Sequence, residues 1–106
     1  MSDVLLQLAA TISARRTAAP DGSYTRQLLD AGPMKCARKL GEEAIETVLA
    51  GAGQGDAELK AEAADLLYHL LVLLESRNVP LQDVLDILAA RSGVSGLAEK
   101  AARSKA

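Results

Sequence analysis

Three carboxylates fall within five consecutive positions in the stretch GEEAIE, residues 41–46: Glu42, Glu43 and Glu46. On a helix, at ~100° per residue, they share one patch of surface. Glu42 and Glu46 form an i,i+4 like-charge pair, which costs roughly a few tenths of a kcal/mol unless a cation relieves it. The pair Lys39–Glu43 runs in the less favourable Lys-to-Glu order. A second acidic segment follows in EAAD, where Glu62 and Asp65 lie on one stripe with Glu58 and His69. Asp65 is embedded in AADLLYHLLVLL. A carboxylate buried among such neighbours requires a cation, a basic partner or several hydrogen-bond donors.

If two antiparallel helices present these pairs to each other, four acidic groups converge: Glu43 and Glu46 from one, Glu62 and Asp65 from the other. Carboxylate-rich, all-oxygen coordination suits a hard divalent ion such as Mg²⁺ or Mn²⁺. A single His gives no zinc set. A carboxylate-held Mg²⁺ usually works on phosphates. Lys35, Arg38 and Lys39 sit one to two turns before the acidic cluster, Lys35 and Lys39 on its face and Arg38 towards the edge. There they could neutralise a polyphosphate. The competing reading of all these charges is a solvated face with surface salt bridges.

Four other residues are weighed separately. His69, one turn past Asp65, is either an outer hydrogen-bond partner of a metal-bound carboxylate or a hydrogen-bonded core histidine. It is left out of the catalytic set. Tyr68 is packing, or a hydroxyl at the rim. Gly41 is expected to allow close helix approach, because glycine inside a helix costs ~1 kcal/mol relative to Ala. Cys36 has no base beside it and is most simply a small buried side chain.

Helical spacing of apolar residues runs almost throughout, and no stretch alternates as a half-buried strand should. The pattern predicts a first helix over about 3–16, with Asp3 as N-cap and Arg15 and Arg16 in its last turn. TAAPDG, 17–22, is a turn, and Ser23 caps a short helix, SYTRQLLDA, that ends at Gly32. Pro33 opens a long helix reaching about Ala50, followed by a glycine-rich loop over 51–56 with Asp56 as the next N-cap. The following helix reaches about Arg77 and the last covers about 81–91. One domain over 1–91 follows, with a Gly/Ser-punctuated tail at 92–106 expected to be weakly helical or disordered. The short loop makes the 34–50 and 57–77 helices antiparallel, so the fold class is an all-α antiparallel helix bundle. The long helix sets Leu40, Ala44, Ile45, Val48 and Leu49 on one side and Lys35, Lys39, Glu42, Glu43 and Glu46 on the other.

The chain of 106 residues contains no Trp, no Phe and two Tyr, so its core must be aliphatic. Its central helix is apolar on nearly all sides from Ala63 to Leu74, and a bundle this small then needs a partner surface. A homo-oligomer is expected, with a dimer favoured over a tetramer. The single cysteine excludes an internal disulfide. The formal net charge of -2 leaves no general nucleic-acid footprint. The longest apolar run, LLYHLLVLL, falls well short of the ~20 residues that cross a bilayer. With no basic start of a signal peptide, a cytoplasmic location is expected.

The combination of SYTRQLL at 23–29, KLGEEAIE at 39–46 and EAADLLYHLLVLL at 62–74, then VPLQDVLDIL, resembles the phosphoribosyl-ATP pyrophosphatase family. The likeness covers about 5–91, in matching order and spacing. EExxE followed by ExxD alone would indicate only the wider MazG-like all-α nucleoside-triphosphate pyrophosphohydrolases. The resemblance implies Mg²⁺-dependent hydrolysis of the α–β phosphoanhydride of phosphoribosyl-ATP to phosphoribosyl-AMP and pyrophosphate, the second step of histidine biosynthesis. It implies Glu43, Glu46, Glu62 and Asp65 as metal ligands and Glu42 as either a ligand or the group that orients the attacking water. These five form the expected catalytic set. Lys39 matches a phosphate contact, with Lys35 and Arg38 beside it. Ser23, Tyr24 and Thr25 match the family's opening segment without an assigned role. The family enzyme is often fused to a phosphoribosyl-AMP cyclohydrolase, which at this length is expected to be a separate protein.

Two other functions compete. A house-cleaning pyrophosphohydrolase would run the same chemistry on free or damaged nucleotides. A non-catalytic helical oligomerisation module would use the acidic face for a basic partner and show no metal dependence.

Overall fold

The apolar spacing resolves into helices in the computed structural model, which describes residues 3–92; apart from Ser92, the tail expectation falls on residues outside these. The described residues form five α-helices and two 3₁₀ turns, with no strand. They are α1 (Val4–Ala14), α2 (Tyr24–Ala31), α3 (Pro33–Gly53), α4 (Asp56–Ser76) and α5 (Leu81–Arg91). None is long and apolar enough to cross a membrane.

Local chemistry sets most of the ends. The Ser23 hydroxyl accepts from the Arg26 backbone N–H at 3.1 Å and starts α2. Gly32, at φ 97°, closes α2 and opens α3, a left-handed backbone that glycine adopts without a Cβ clash. Pro33 then takes the first turn of α3, where its missing N–H costs nothing. Asn78, at φ 58°, ends α4. The Val79 N–H bonds the Leu74 carbonyl and the Asn78 N–H the Glu75 carbonyl, which together make a Schellman closure. Arg16 reaches across from the first 3₁₀ turn to the same end, bonding the Glu75 side chain and carbonyl and, at 3.0 Å, Asn78 Oδ1.

Three expected ends differ. Asp3 stands at the N-cap position, but its carboxylate accepts from Gln7 Nε2 rather than from a backbone N–H. Arg15 and Arg16 lie in the 3₁₀ turn that follows α1. The glycine-rich run at 51–56 is not a loop. Helix α3 continues to Gly53, the Gln54 N–H bonds the Ala50 carbonyl, and Gly55 rather than Asp56 occupies the N-cap of α4. The helix runs one turn past Ala50, which is buried and whose carbonyl accepts the Gln54 N–H.

Only Gln54 and Gly55 separate two helices of 21 residues each, so α3 and α4 run antiparallel in contact along their length. Ile12, Leu28, Cys36, Leu71 and Val72 form the core, wrapped by half-buried Leu5, Leu8, Leu29 and Tyr68. Cys36 is the buried small side chain expected, with its thiol donating to the Leu28 carbonyl at 3.3 Å. This core sits at the C-terminal half of α4, under α1 and α2. Residues 56–65, the N-terminal half, are half-buried or exposed. Within the single chain Asp65 is exposed rather than buried, and Leu67, inside the apolar stretch 63–74 for which a partner surface is expected, is 43% exposed.

The rotation of α3 also differs from the expected split. Its α4-facing side is Cys36, Leu40, Glu43, Thr47 and Ala50, with Ala44 at the edge. Ile45, Val48 and Leu49 point away, 63%, 68% and 58% exposed. The apolar residues of α3 thus divide between two opposite sides. One of those sides carries Glu43 inward against α4.

Candidate active site

Thr47 sits where the two long helices meet. Its hydroxyl lies 2.8 Å from the Glu43 carbonyl, one turn back, and 3.2 Å from the Glu62 carbonyl on α4. One hydroxyl proton shared between two helices draws them together where Glu43 and Glu62 emerge. No sequence argument singled out Thr47. The available signal was a β-branched hydroxyl in mid-helix, free to bond the i−4 carbonyl.

Above this contact Glu43, Glu62 and Asp65 each offer a carboxylate oxygen within 4.8 Å of the others. Glu43 Oε2 and Glu62 Oε2 are buried without a hydrogen-bond partner among the described residues. A buried carboxylate oxygen left unpaired is costly, so this arrangement calls for a cation or a proton. Glu46 lies outside that group of three but within hydrogen-bonding reach of both Glu43 and Glu62. Of the quartet expected from the sequence, Glu43, Glu62 and Asp65 converge and Glu46 lies outside their group.

The electrostatics agree. Burial pushes the Glu43 carboxyl above its ordinary value, followed by contact with Glu46 and the charge of Asp65, while His69 opposes the shift. Contact with Glu46 raises Glu62, followed by burial and the charges of Glu43 and Asp65. Each carboxylate resists the ionisation of the next. The donors are all oxygen, and two of them are buried and unpaired, a set that fits a hard divalent cation.

The basic residues lie just outside. Lys39 Nζ bonds Glu42 at 3.0 Å, so the i,i+3 partner is taken instead of Glu43, which faces α4. That bond holds the Glu42 carboxyl below its ordinary value, with Arg38 and Lys35 adding to the effect. Glu42 therefore stands apart from the three converging carboxylates, ionised and exposed. Lys35 and Arg38 are exposed on the turn before it.

The segment Ser23–Thr25 has a structural account. Ser23 caps α2, Thr25 exchanges a hydrogen bond with the Tyr68 hydroxyl, and the Tyr24 hydroxyl lies 3.5 Å from His69 Nε2. His69 is buried, and its Nδ1 lies 2.9 Å from the Asp65 carbonyl. The core-histidine alternative is the one observed, bonded to the backbone of Asp65 rather than to its carboxylate. Tyr68 is a half-buried packing residue whose hydroxyl ties α2 to α4, edge-on to the His69 ring at 4.9 Å. Gly41 is exposed, and among the described residues nothing lies within 4 Å of where its Cβ would be. The close approach expected there does not occur among them.

With this geometry in hand, comparison with known proteins is specific. The family model described as phosphoribosyl-ATP pyrophosphohydrolase matches residues 5–92. A relative named phosphoribosyl-ATP pyrophosphatase from Nitrobacter winogradskyi is 56% identical over 98 residues, 92% of this chain and 84% of the relative. One of the same name from Ruegeria pomeroyi is 56% identical over 102 residues, 96% of this chain and 97% of the relative. Another from Cereibacter sphaeroides is 54% identical over 100 residues, 94% and 97% of the two chains.

Proposed function

The chain belongs to the phosphoribosyl-ATP pyrophosphohydrolase family, and from that premise we propose that it hydrolyses the α–β phosphoanhydride of phosphoribosyl-ATP. The products are phosphoribosyl-AMP and pyrophosphate, the second step of histidine biosynthesis. One observation carries the reading: the unpaired, buried oxygens of Glu43 and Glu62 converge with Asp65 beside a basic turn.

Glu43, Glu62 and Asp65, with Glu46 alongside, would hold Mg²⁺, for which Mn²⁺ is the natural substitute. The ion supplies, when bound, the positive charge that lets a polyphosphate approach carboxylates and that stabilises departing pyrophosphate. Lys39, Lys35 and Arg38 meet the outer phosphate charge. Glu42, ionised and apart from the three close carboxylates, orients the attacking water. Water adds at the α-phosphorus, the bond to the bridging oxygen breaks, and pyrophosphate leaves. The chain works as a homodimer in this reading, supported by the exposed Ile45, Val48 and Leu49 on the side of α3 opposite α4.

Pyrophosphate release from phosphoribosyl-ATP, with and without Mg²⁺, tests the proposal beside ATP and deoxynucleoside triphosphates. Metal-dependent turnover confined to phosphoribosyl-ATP is expected. Preference for the other nucleotides would make it a house-cleaning enzyme, and no turnover by folded protein would favour the binding module.

A further inference from the structure

The apolar stripe of α5 is not covered to its end. Leu81, Val84, Leu85 and Leu88 recur at i, i+3, i+4 and i+7, one face of the helix. The first three are half-buried, whereas Leu88 is 56% exposed. The start of α1 is uncovered as well, with Val4 61% and Leu6 42% exposed. Helix α5 packs on α1, and an open cavity of about 280 Å³ lies between them, lined by Asp3, Val4, Leu5, Leu6 and Leu85. Four of these five side chains are aliphatic, and the exposed Asp3 sets one carboxylate at the edge. The groove shares no residue with the acidic cluster.

The chain leaves α5 two turns beyond Leu85. Ser92 closes the helix, its N–H bonding the Leu88 and Ala89 carbonyls. Fourteen residues follow, 93–106, outside the described part. Their sequence holds two large aliphatic side chains, Val94 and Leu97, each directly after a glycine, Gly93 and Gly96. Glycine lets the backbone take the sharp turn that doubling back requires. The five residues from Ser92 to Leu97 reach up to about 17 Å when extended, against about 10 Å of helix from Ser92 back to Leu85. Beyond Leu97 the charges are Lys100, Arg103 and Lys105 against Glu99, a balance opposite in sign to Asp3. A tethered segment also competes for the groove at an effective concentration on the order of millimolar, above that of a separate partner.

We propose that the groove between α1 and α5 is the docking site of the chain's own C-terminal segment, residues 93–106. Val94 covers Leu88, Leu97 enters the cavity, and the basic residues that follow meet Asp3. This docking is independent of the reaction at the acidic cluster.

The chain contains no Trp, so Leu97→Trp in the full chain provides a single indole that reports where residue 97 lies. Its emission is expected to be shifted to the blue of free tryptophan and shielded from acrylamide, equally at every protein concentration. Leu6→Glu in the same background places a charge in the groove wall from an already exposed position. It should return both readings to their solvent values with helical circular dichroism unchanged. In the otherwise wild-type chain, Leu97→Asp should lower the melting temperature by a few degrees and raise the binding of an apolar dye, whereas Ser104→Asp should do neither. A blue shift that survives Leu6→Glu would place residue 97 elsewhere and overturn the proposal. Shielding that grows with protein concentration would give the groove to a second copy and overturn it too. If the indole is too large for the groove and its emission is solvent-like, the Leu97→Asp melt decides alone: a lowered melting temperature supports docking, and one equal to the wild type removes it.

Discussion

Glu43 on α3 and Glu62 on α4 each turn one carboxylate oxygen into a buried position with no hydrogen-bond partner among the described residues. Their backbones are held together beneath by one residue, Thr47, whose hydroxyl meets both carbonyls. The scaffold therefore forces together two groups that repel each other. A fold that spends stability this way at one place has a reason there, and the proposed cation would supply it.

Neutralising one of these acids should separate stability from function. Glu43→Gln keeps the shape but removes a charge from the cluster, so the metal-free protein is expected to melt a few degrees higher than the wild type. The same variant should lose Mg²⁺-dependent turnover by at least about 10²-fold, as should Asp65→Ala with its helical circular dichroism intact. Thermal melts and pyrophosphate release check the two halves separately. A Glu43→Gln protein that melts lower and still turns over would mean the carboxylate is structural.

The pH dependence of stability follows with a definite sign. The Glu43 and Glu62 carboxyls are raised in the folded chain from the ordinary value of 4.5. Folding therefore takes up protons, and the stability this contributes is fully present below about pH 4.5 and is lost as pH rises through the raised values. Other carboxylates titrate in the same range, so the readable quantity is the difference between wild type and the Glu43→Gln/Glu62→Gln variant. The metal-free wild type should fall behind that variant as pH rises above 4.5, and saturating Mg²⁺ should close the gap. A difference that stays flat with pH would contradict the raised carboxyls.

Thr47→Val removes one hydroxyl and changes little in shape. The loss of its hydrogen bonding is expected to cost about 1 kcal/mol, or roughly 4–8 °C in melting temperature for a domain of this size. Because the same hydroxyl sets the spacing of Glu43 and Glu62, the variant should also need more Mg²⁺ for half-maximal activity. Loss of stability with an unchanged Mg²⁺ requirement would confine Thr47 to the fold.

Much of this was legible from local chemistry. Ser23, Gly32-Pro33 and the break at Asn78 marked helix ends because each carries a backbone constraint that no distant contact needs to supply. The acidic residues stood out because their spacing costs energy on an isolated helix. The rotation of α3 was not legible, since its apolar residues lie on two sides and periodicity cannot say which one meets α4. The true contact side includes Glu43 and Thr47, whose polarity pointed towards solvent. The run GAGQGD misled in the same way: three of its residues continue α3 past the buried Ala50, whose burial is a tertiary fact. The meaning of Tyr24 and Thr25 needed α2 to be placed on α4 first.

That second side of α3 yields the last prediction. Ile45, Val48 and Leu49 form an exposed apolar surface on one helix, and Gly41 lies on the same side one turn before Ile45. Among the described residues nothing approaches Gly41, so its cost of ~1 kcal/mol relative to Ala is not offset by packing there. A second copy packing α3 against this side would use the missing Cβ for close backbone approach and cover all three apolar residues. Sedimentation velocity at micromolar concentration is expected to show a dimer for the wild type and a monomer for Val48→Glu. Gly41→Ala is the sharper variant: it should strengthen an isolated α3 yet weaken the dimer, raising the dissociation constant. A monomeric wild type would remove the dimer, and a Gly41→Ala dimer at least as tight as the wild type would place the interface elsewhere.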